Sequence, residues 1–219
     1  MFLYTDEHLL IANKPATLPT QDDKTCDTSL HELLENETGK KLWLINRIDR
    51  PVSGIILFAT SSEVAAIVSK QIADNKISKT YLAVVENAPP KESDTIVHYL
   101  SQNGKIHKSF ANTENRAFAQ RAELFYKLIG QSDKYFLLEI KLHTGRFHQI
   151  RAQLSAIGCP IKGDVKYGAR RSNKDRSIHL HAHTCSFEHF LTREKINISA
   201  PLPDEVLWNY FRELNQIGT

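Results

Sequence analysis

Arg47-Ile48-Asp49-Arg50-Pro51-Val52-Ser53-Gly54 is the stretch on which the fold turns. It lies between two apolar runs, residues 42–45 and 55–59. Runs of that length bounded by turn residues read as buried strands. The octapeptide is therefore expected to be the loop that joins two core strands. A carboxylate with a guanidinium on each side is an uneconomical choice for a plain connector, and charges gathered at the mouth of a core mark a candidate site. The alternative is a surface turn with a local ion pair. If the segment is extended, Arg47 and Asp49 stand two residues apart and project to the same side.

Working outward, residues 2–4 and 9–12 read as a hairpin, and Pro15 and Pro19 fix an irregular loop over 14–19. A helix is expected over 29–37, capped by Thr28 or Ser29, and another over 62–75 with Val64, Ile67, Val68 and Ile72 at helical spacing. Residues 78–85 are strand-like. Two short polar edge strands are expected within 95–120 around Asn103-Gly104, followed by a strand pair at 121–128 and 134–143. Next come a helix over 146–157 closed by Gly158 and Pro160, a basic loop over 162–176, and strands at 177–187 and 196–199. The last element is a helix over 203–214 with Val206, Leu207, Tyr210 and Phe211 inward. Many locally paired strands with few helices predict an α+β fold with a largely antiparallel sheet. Neither repeat nor linker divides the chain, so residues 1–219 are expected to form one domain.

The chain has 219 residues, 41% apolar and 24% charged, which suits one substantial core. No apolar run reaches the roughly 18 residues of a membrane span, and Met1 to Glu7 carries acids rather than a basic leader. Cys26, Cys159 and Cys185 are few, odd in number and scattered, as expected of a reducing, cytoplasmic location. Net charge is only +3, but residues 140–176 hold nine Lys or Arg against two Asp, a local +7 that leaves −4 elsewhere. Such a concentration is the footprint of a polyanionic partner, or else a solvated loop.

That basic segment opens with Leu142-His143-Thr144-Gly145-Arg146-Phe147-His148-Gln149-Ile150-Arg151. The Arg-Ile-Asp tripeptide with its Ser-Gly, then Lys79-Thr80-Tyr81, then Thr-Gly-Arg-x-His-Gln-Ile-Arg resemble the ordered motifs of the RluA-type family of RNA pseudouridine synthases. Asp6 to Pro15 is similar to the start of that family's domain and Leu180-His181-Ala182 to a late motif, so the resemblance runs from about residue 3 to about 200. It implies one bipartite catalytic domain around a central sheet with flanking helices and an RNA cleft between its halves. It implies also that no extra N-terminal RNA-binding domain is present.

The implied reaction turns uridine into pseudouridine and calls for no redox partner, metal or other cofactor. It needs a carboxylate beside the anomeric carbon, kept ionised in a water-poor pocket. The resemblance gives that part to Asp49 and makes Arg151 its basic partner. It places the Tyr81 ring against the target base, with the hydroxyl a candidate in proton removal. Arg47 could hold a phosphate or fill the space of a flipped base. Arg146 and His148, expected at a helix start that favours anions, are candidates for RNA-backbone contact. Gln149, at the same helix start, is a further candidate for substrate binding; alternatively His148 and Gln149 satisfy buried polar groups of the cleft wall. Arg170 and Arg171, with Lys174 and Arg176, would neutralise phosphates. Asn46, Ile48 and Val52 stand where the family often has His, Leu and Thr, which bears on specificity rather than chemistry.

One rival cluster exists. His179, His181, His183 and Cys185 alternate along an expected strand and are zinc ligands by type. Four side chains in a line about 6.5–7 Å apart do not close a tetrahedron, so no metal is expected. Two classes of function remain: an isomerase acting on structured transfer or ribosomal RNA, or a catalytically inactive RNA-binding or chaperone-like protein on the same scaffold. The joint presence of Asp49, Tyr81 and Arg151 favours the enzyme. No obligate protein partner is evident.

Overall fold

The computed structural model describes residues 1–22 and 27–215; the expectation for Cys26 falls outside them. The backbone divides into two compact units, Met1–Lys79 with His181–Glu205, and Thr80–Leu180 with the helix that begins at Val206. Strand pairing is antiparallel except where noted, so the expected α+β class holds. No helix among the described residues is long and apolar enough to cross a membrane.

The first unit starts with the hairpin β1 (Phe2–Thr5) and β2 (Leu9–Lys14). Asp6 accepts the amide hydrogens of His8 and Leu9, both at 2.7 Å, which fixes the turn. Helix α1 (Leu30–Thr38) is capped by Ser29, whose hydroxyl accepts from the Glu32 amide at 3.2 Å. β3 spans only Trp43–Leu44, and β4 (Ser53–Ala59) is buried along its whole length. It pairs with β2 on one side and, in parallel, with β10 (Leu180–Glu188) on the other. β11 (Lys195–Ser199) flanks β10. Helix α2 (Ser62–Ala73) buries Val64 and Val68. Ile67, expected inward from its spacing, is 43% exposed, because the buried stripe of this short helix is narrower than its apolar composition suggests.

The second unit is a sheet in the order β5 (Ser78–Val85), β9 (Phe136–Leu142), β8 (Gln120–Gln131), β6 (Ser93–Asn103), β7 (Lys108–Asn112). β6 is not a short edge strand: its 11 residues pair with β8 on one side and β7 on the other. Its polar residues belong to an alternation with one solvated face. Gln153, fully buried on helix α3 (Gln149–Ala156), donates to the Ile96 and Ala122 carbonyls at 3.2 and 3.3 Å and ties the helix to β6 and β8.

Helix α3 begins three residues later than the spacing predicts. The Arg146 amide is already bonded to Gln149 Oε1 at 2.9 Å, and His148 sits at φ 52, so the chain turns sharply before the helix starts. Helix α4 (Val206–Asn215) buries Phe211 as expected, but the rest of its inward face differs from the expected one. Trp208 and Phe211 are buried, whereas Val206 is 83% and Tyr210 45% exposed. Trp208 stacks on His179 with ring centres 5.3 Å apart, and its large apolar area orients the helix.

Candidate active site

In the first unit the expected loop exists and its backbone is tightly held. Val52 donates its amide hydrogen to the Asp49 carbonyl at 3.0 Å, closing a turn over Pro51. Arg47 is exposed, Ile48 buried and Asp49 half-buried, the alternation of an extended segment entering the turn. The Ile48 carbonyl accepts from Thr20 Oγ1 at 2.9 Å. The Arg50 carbonyl accepts from the Thr17 amide at 2.8 Å, and Arg50 Nε donates back to the Thr17 carbonyl at 2.9 Å. The Arg50 guanidinium also pairs with Asp27.

Beneath the turn lies a fully buried lysine. Lys14 Nζ donates to the carbonyls of Leu18 at 2.7 Å, Pro15 at 3.0 Å and Arg50 at 3.1 Å. Three acceptors match the three donors of an ammonium group. Burial pushes the Lys14 ammonium down to about 7, while the negative charge of Asp49 pulls it back up and Arg50 opposes it. A buried lysine thus stitches the residue 15–18 loop to the Asp49 turn and feels the Asp49 charge. Its signal in the sequence is a cation at the end of an apolar run, directly before a proline.

The Ser53-Gly54 pair then acquires a reason. Gly54 lies opposite Ala182 in the parallel β4–β10 ladder at φ 114. A Cβ there would fall 2.3 Å from the Ala182 carbonyl oxygen, so only glycine fits. Ser53 Oγ lies 2.8 Å from His181 Nδ1. The Leu180-His181-Ala182 motif is thus the fastening of the Asp49 turn. Burial pushes His181 down to about 4, so the ring is neutral at ordinary pH. Asn46 Oδ1 accepts from the Leu57 amide at 2.8 Å and braces the other side of the loop.

In the second unit Tyr81 is 8% exposed on β5, opposite Ile140 of β9. Arg151 is 5% exposed on α3 and makes a two-pronged bond to Asp164, Nε to Oδ2 at 2.7 Å and a terminal nitrogen to Oδ1 at 2.9 Å. Asp164 is 2% exposed. The Arg151 guanidinium also lies over the Tyr167 ring at 4.8 Å. Tyr167 gathers its neighbours: its hydroxyl accepts from the Ser109 amide at 2.8 Å and lies 2.9 Å from His148 Nδ1. Arg151 and His148 are therefore brought together through Tyr167. Asp164 and Tyr167 lie in the Gly163-Asp164 and Tyr167-Gly168 pairs of the basic loop. Two glycine-flanked side chains in a charged stretch are the only advance sign of them.

Gln149 takes the second of its two expected roles. It is 3% exposed, its Oε1 accepts from Thr144 Oγ1 at 2.8 Å and from the Arg146 amide, and its Nε2 donates to the Glu123 carbonyl at 3.0 Å. It shapes the segment that carries Arg146 rather than offering itself to solvent. Arg146 Nε donates to the Arg121 carbonyl at 3.2 Å. Arg170 lies 3.9 Å from Glu86, whereas Arg171, Lys174 and Arg176 are exposed and make no ion pair among the described residues. Arg47 and Asp49 thus belong to the first unit, and Tyr81, Arg146, His148, Gln149, Arg151, Arg170 and Arg171 to the second.

The histidine row forms no metal cage among the described residues. His179 precedes β10 and stacks on Trp208, and His181 and His183 share the Ala200 carbonyl at 3.3 and 3.1 Å. Cys185 is buried, and burial pushes its thiol up to about 11.

A model of the RNA pseudouridylate synthase family matches residues 8–156. The chain is 31% identical to the tRNA pseudouridine synthase C of Vibrio parahaemolyticus over 92% of its own length and 90% of that protein's. It is 29% identical to the ribosomal large subunit pseudouridine synthase C of Rickettsia prowazekii, over 92% of its length and 67% of the relative's. Among solved structures, the human RNA pseudouridylate synthase domain containing 4 superposes with a TM-score of 0.76 at 22% identity, over 98% of this chain and 92% of that one.

Proposed function

As the chain belongs to the RNA pseudouridylate synthase family, isomerases that turn uridine into pseudouridine in RNA, we propose that its substrate is a transfer RNA and that residues 1–219 form one catalytic domain with Asp49 as the reacting carboxylate. The observation that supports the choice of RNA is the similarity to transfer-RNA enzymes: those of Vibrio parahaemolyticus and Haemophilus ducreyi are each 31% identical to this chain over at least nine-tenths of both lengths.

The reaction breaks the bond from C1′ of the ribose to N1 of uracil and forms one from C1′ to C5. The C5 proton leaves, N1 gains one, and no atom is lost or added. Asp49 acts as nucleophile or base in the step that frees uracil. The Tyr81 ring packs on the base and its hydroxyl takes part in moving the C5 proton. Arg151 supplies positive charge, held rigid by Asp164 and Tyr167. Arg47, exposed beside Asp49, meets the RNA where the target base leaves its stack. Arg146, His148, Arg170 and Arg171 meet the backbone, and Gln149 positions Arg146.

Phosphate binding by the basic loop is measurable. Replacing Arg171 and Lys174 together by Gln is expected to weaken binding alike for all RNA sequences. The slope of log affinity against log salt should flatten by roughly 0.7–0.9 for each phosphate no longer neutralised. Arg170→Gln should flatten it less, because Glu86 already neutralises part of that charge. An unchanged slope in the double variant would reduce Arg171 and Lys174 to solvated side chains.

The chemistry also predicts full turnover after EDTA treatment and dialysis. The substrate for this assay is a short stem-loop that folds in monovalent salt, so that magnesium is not needed for RNA shape. A requirement for added zinc or magnesium on that stem-loop would show that Asp49, Tyr81 and Arg151 are not the whole catalytic set. Tritium release from transfer RNA carrying 5-tritiated uridine tests the function itself. Release is expected from transfer RNA, and release from ribosomal RNA alone would overturn the choice of substrate.

A further inference from the structure

Phe118 breaks two local rules at once. It is fully exposed, at 101% of its reference surface, and its backbone stands at φ 63. The Ala119 amide donates to the Arg116 carbonyl at 3.0 Å, which makes Phe118 the third residue of a tight turn. With positive φ that position calls for Gly or Asn, because a β-carbon crowds the following carbonyl. A strained bulky residue whose side chain buries nothing contributes nothing to folding, and residues of this kind gather at functional sites.

What stands beside it suggests a use. Phe118 lines an open cavity of about 90 Å³ together with Phe147, Gln102, Gln120 and Arg146. That is well below the roughly 300–1,000 Å³ of a small-molecule pocket, so the cavity suits one flat ring rather than a whole ligand. Phe147 is locked in place: its carbonyl accepts from Ser109 Oγ at 2.6 Å, and its ring stacks on His148 at 3.8 Å. Gln102 and Gln120 are exposed and make no side-chain hydrogen bond among the described residues. Each offers a donor and an acceptor together, which suits the polar edge of a base, whereas a phosphate needs donors only. Residues 100–121 carry four Lys or Arg against one Glu, a balance that attracts a polyanion.

We propose that Phe118 and this cavity receive an unpaired nucleobase of the RNA substrate, stacked on the Phe118 ring, its edge met by Gln102 and Gln120. The inference rests on the RNA-isomerase function and adds to it a second base-binding point on the second unit, apart from the target uridine. A base already unpaired in the free RNA costs least to place there, so loops are favoured over stems. Phe118 is then a specificity residue: it selects RNAs that display a free base at the right distance from the target.

The test uses the whole protein and a 12-nucleotide oligouridylate with one central 2-aminopurine, free or annealed to its complement. The unmodified protein should quench the fluorescence of the single strand by stacking. Phe118→Ala should weaken single-strand binding by roughly 5- to 100-fold and abolish the quench, Phe118→Trp should retain both, and duplex binding should not change. The salt slope should stay the same, because no charge is removed. Equal affinity of Phe118→Ala and the unmodified protein for the single strand would overturn the proposal. So would weaker binding accompanied by a flatter salt slope. Tritium release separates this outcome from the function itself. Turnover with an unaltered KM in Phe118→Ala would remove the base site and leave the isomerase. Absence of turnover by the unmodified protein on any RNA would remove the isomerase.

Discussion

Asp49→Asn is expected to lower isomerisation by roughly 10³-fold or more while the fold and most of the RNA affinity survive. The neutral amide neither attacks C1′ nor accepts a proton. It keeps the turn, because the bond from the Val52 amide to the Asp49 backbone carbonyl is untouched by the substitution and the amide matches the carboxylate in shape. Tritium release reports the drop in activity, and thermal unfolding reports the intact fold. A second readout follows from the lysine underneath. The Asp49 charge holds the Lys14 ammonium up against burial, so removing it should move Lys14 further below about 7. Lys14 should then lose its proton at a lower pH in the variant. Its third carbonyl acceptor would be left without a donor there. Activity within tenfold of the unmodified protein would show that some other group does the chemistry.

Breaking the Arg151–Asp164 pair should give the largest loss of stability. Both groups are nearly removed from water, 6% and 2% exposed, and the bond is two-pronged. Asp164→Ala removes the two-pronged carboxylate from a buried guanidinium, at a cost of roughly 3–5 kcal/mol. The double variant Arg151→Met with Asp164→Leu should recover much of that stability, because no charge remains buried, yet it should stay inactive. Urea unfolding of the two variants measures the difference. If Asp164→Ala loses less than about 1 kcal/mol, the pair is more hydrated than its burial implies. Recovery of activity in the double variant would remove Arg151 from the catalytic set.

These two predictions mark what sequence could and could not supply. The Asp49 loop was legible because its neighbours are local: two apolar runs, a proline, and a Ser-Gly that must turn. β5 was legible along its length for the same reason, with Lys79 to Val85 reading as one strand of β-formers. The requirement for glycine at position 54 was not legible as a packing fact. It comes from Ala182, far along the chain in a parallel strand that no local pattern announces. Lys14 reads as no more than the end of a strand. Its purpose lies in three carbonyls supplied by segments up to 36 residues away.

The same holds in the second unit. Arg151 was marked by its motif, but Asp164 and Tyr167 sat in a charged stretch whose composition suggests an open loop. Only the tertiary fold brings that carboxylate and that ring onto the guanidinium. Helix faces failed where one large residue outweighed the spacing, as Trp208 does on α4. Phe118 is the opposite case. Nothing in its neighbourhood calls for a phenylalanine, and that mismatch between local rule and residue makes it informative.

The central claim is that this chain makes pseudouridine in transfer RNA through Asp49. Its most direct test maps pseudouridines in total RNA from cells with the gene, without it, and with the gene restored as Asp49→Asn. The expected result is a transfer-RNA position that is pseudouridine with the intact gene and uridine in the other two strains. A position restored by the Asp49→Asn gene, or an RNA population that does not change when the gene is removed, would contradict it.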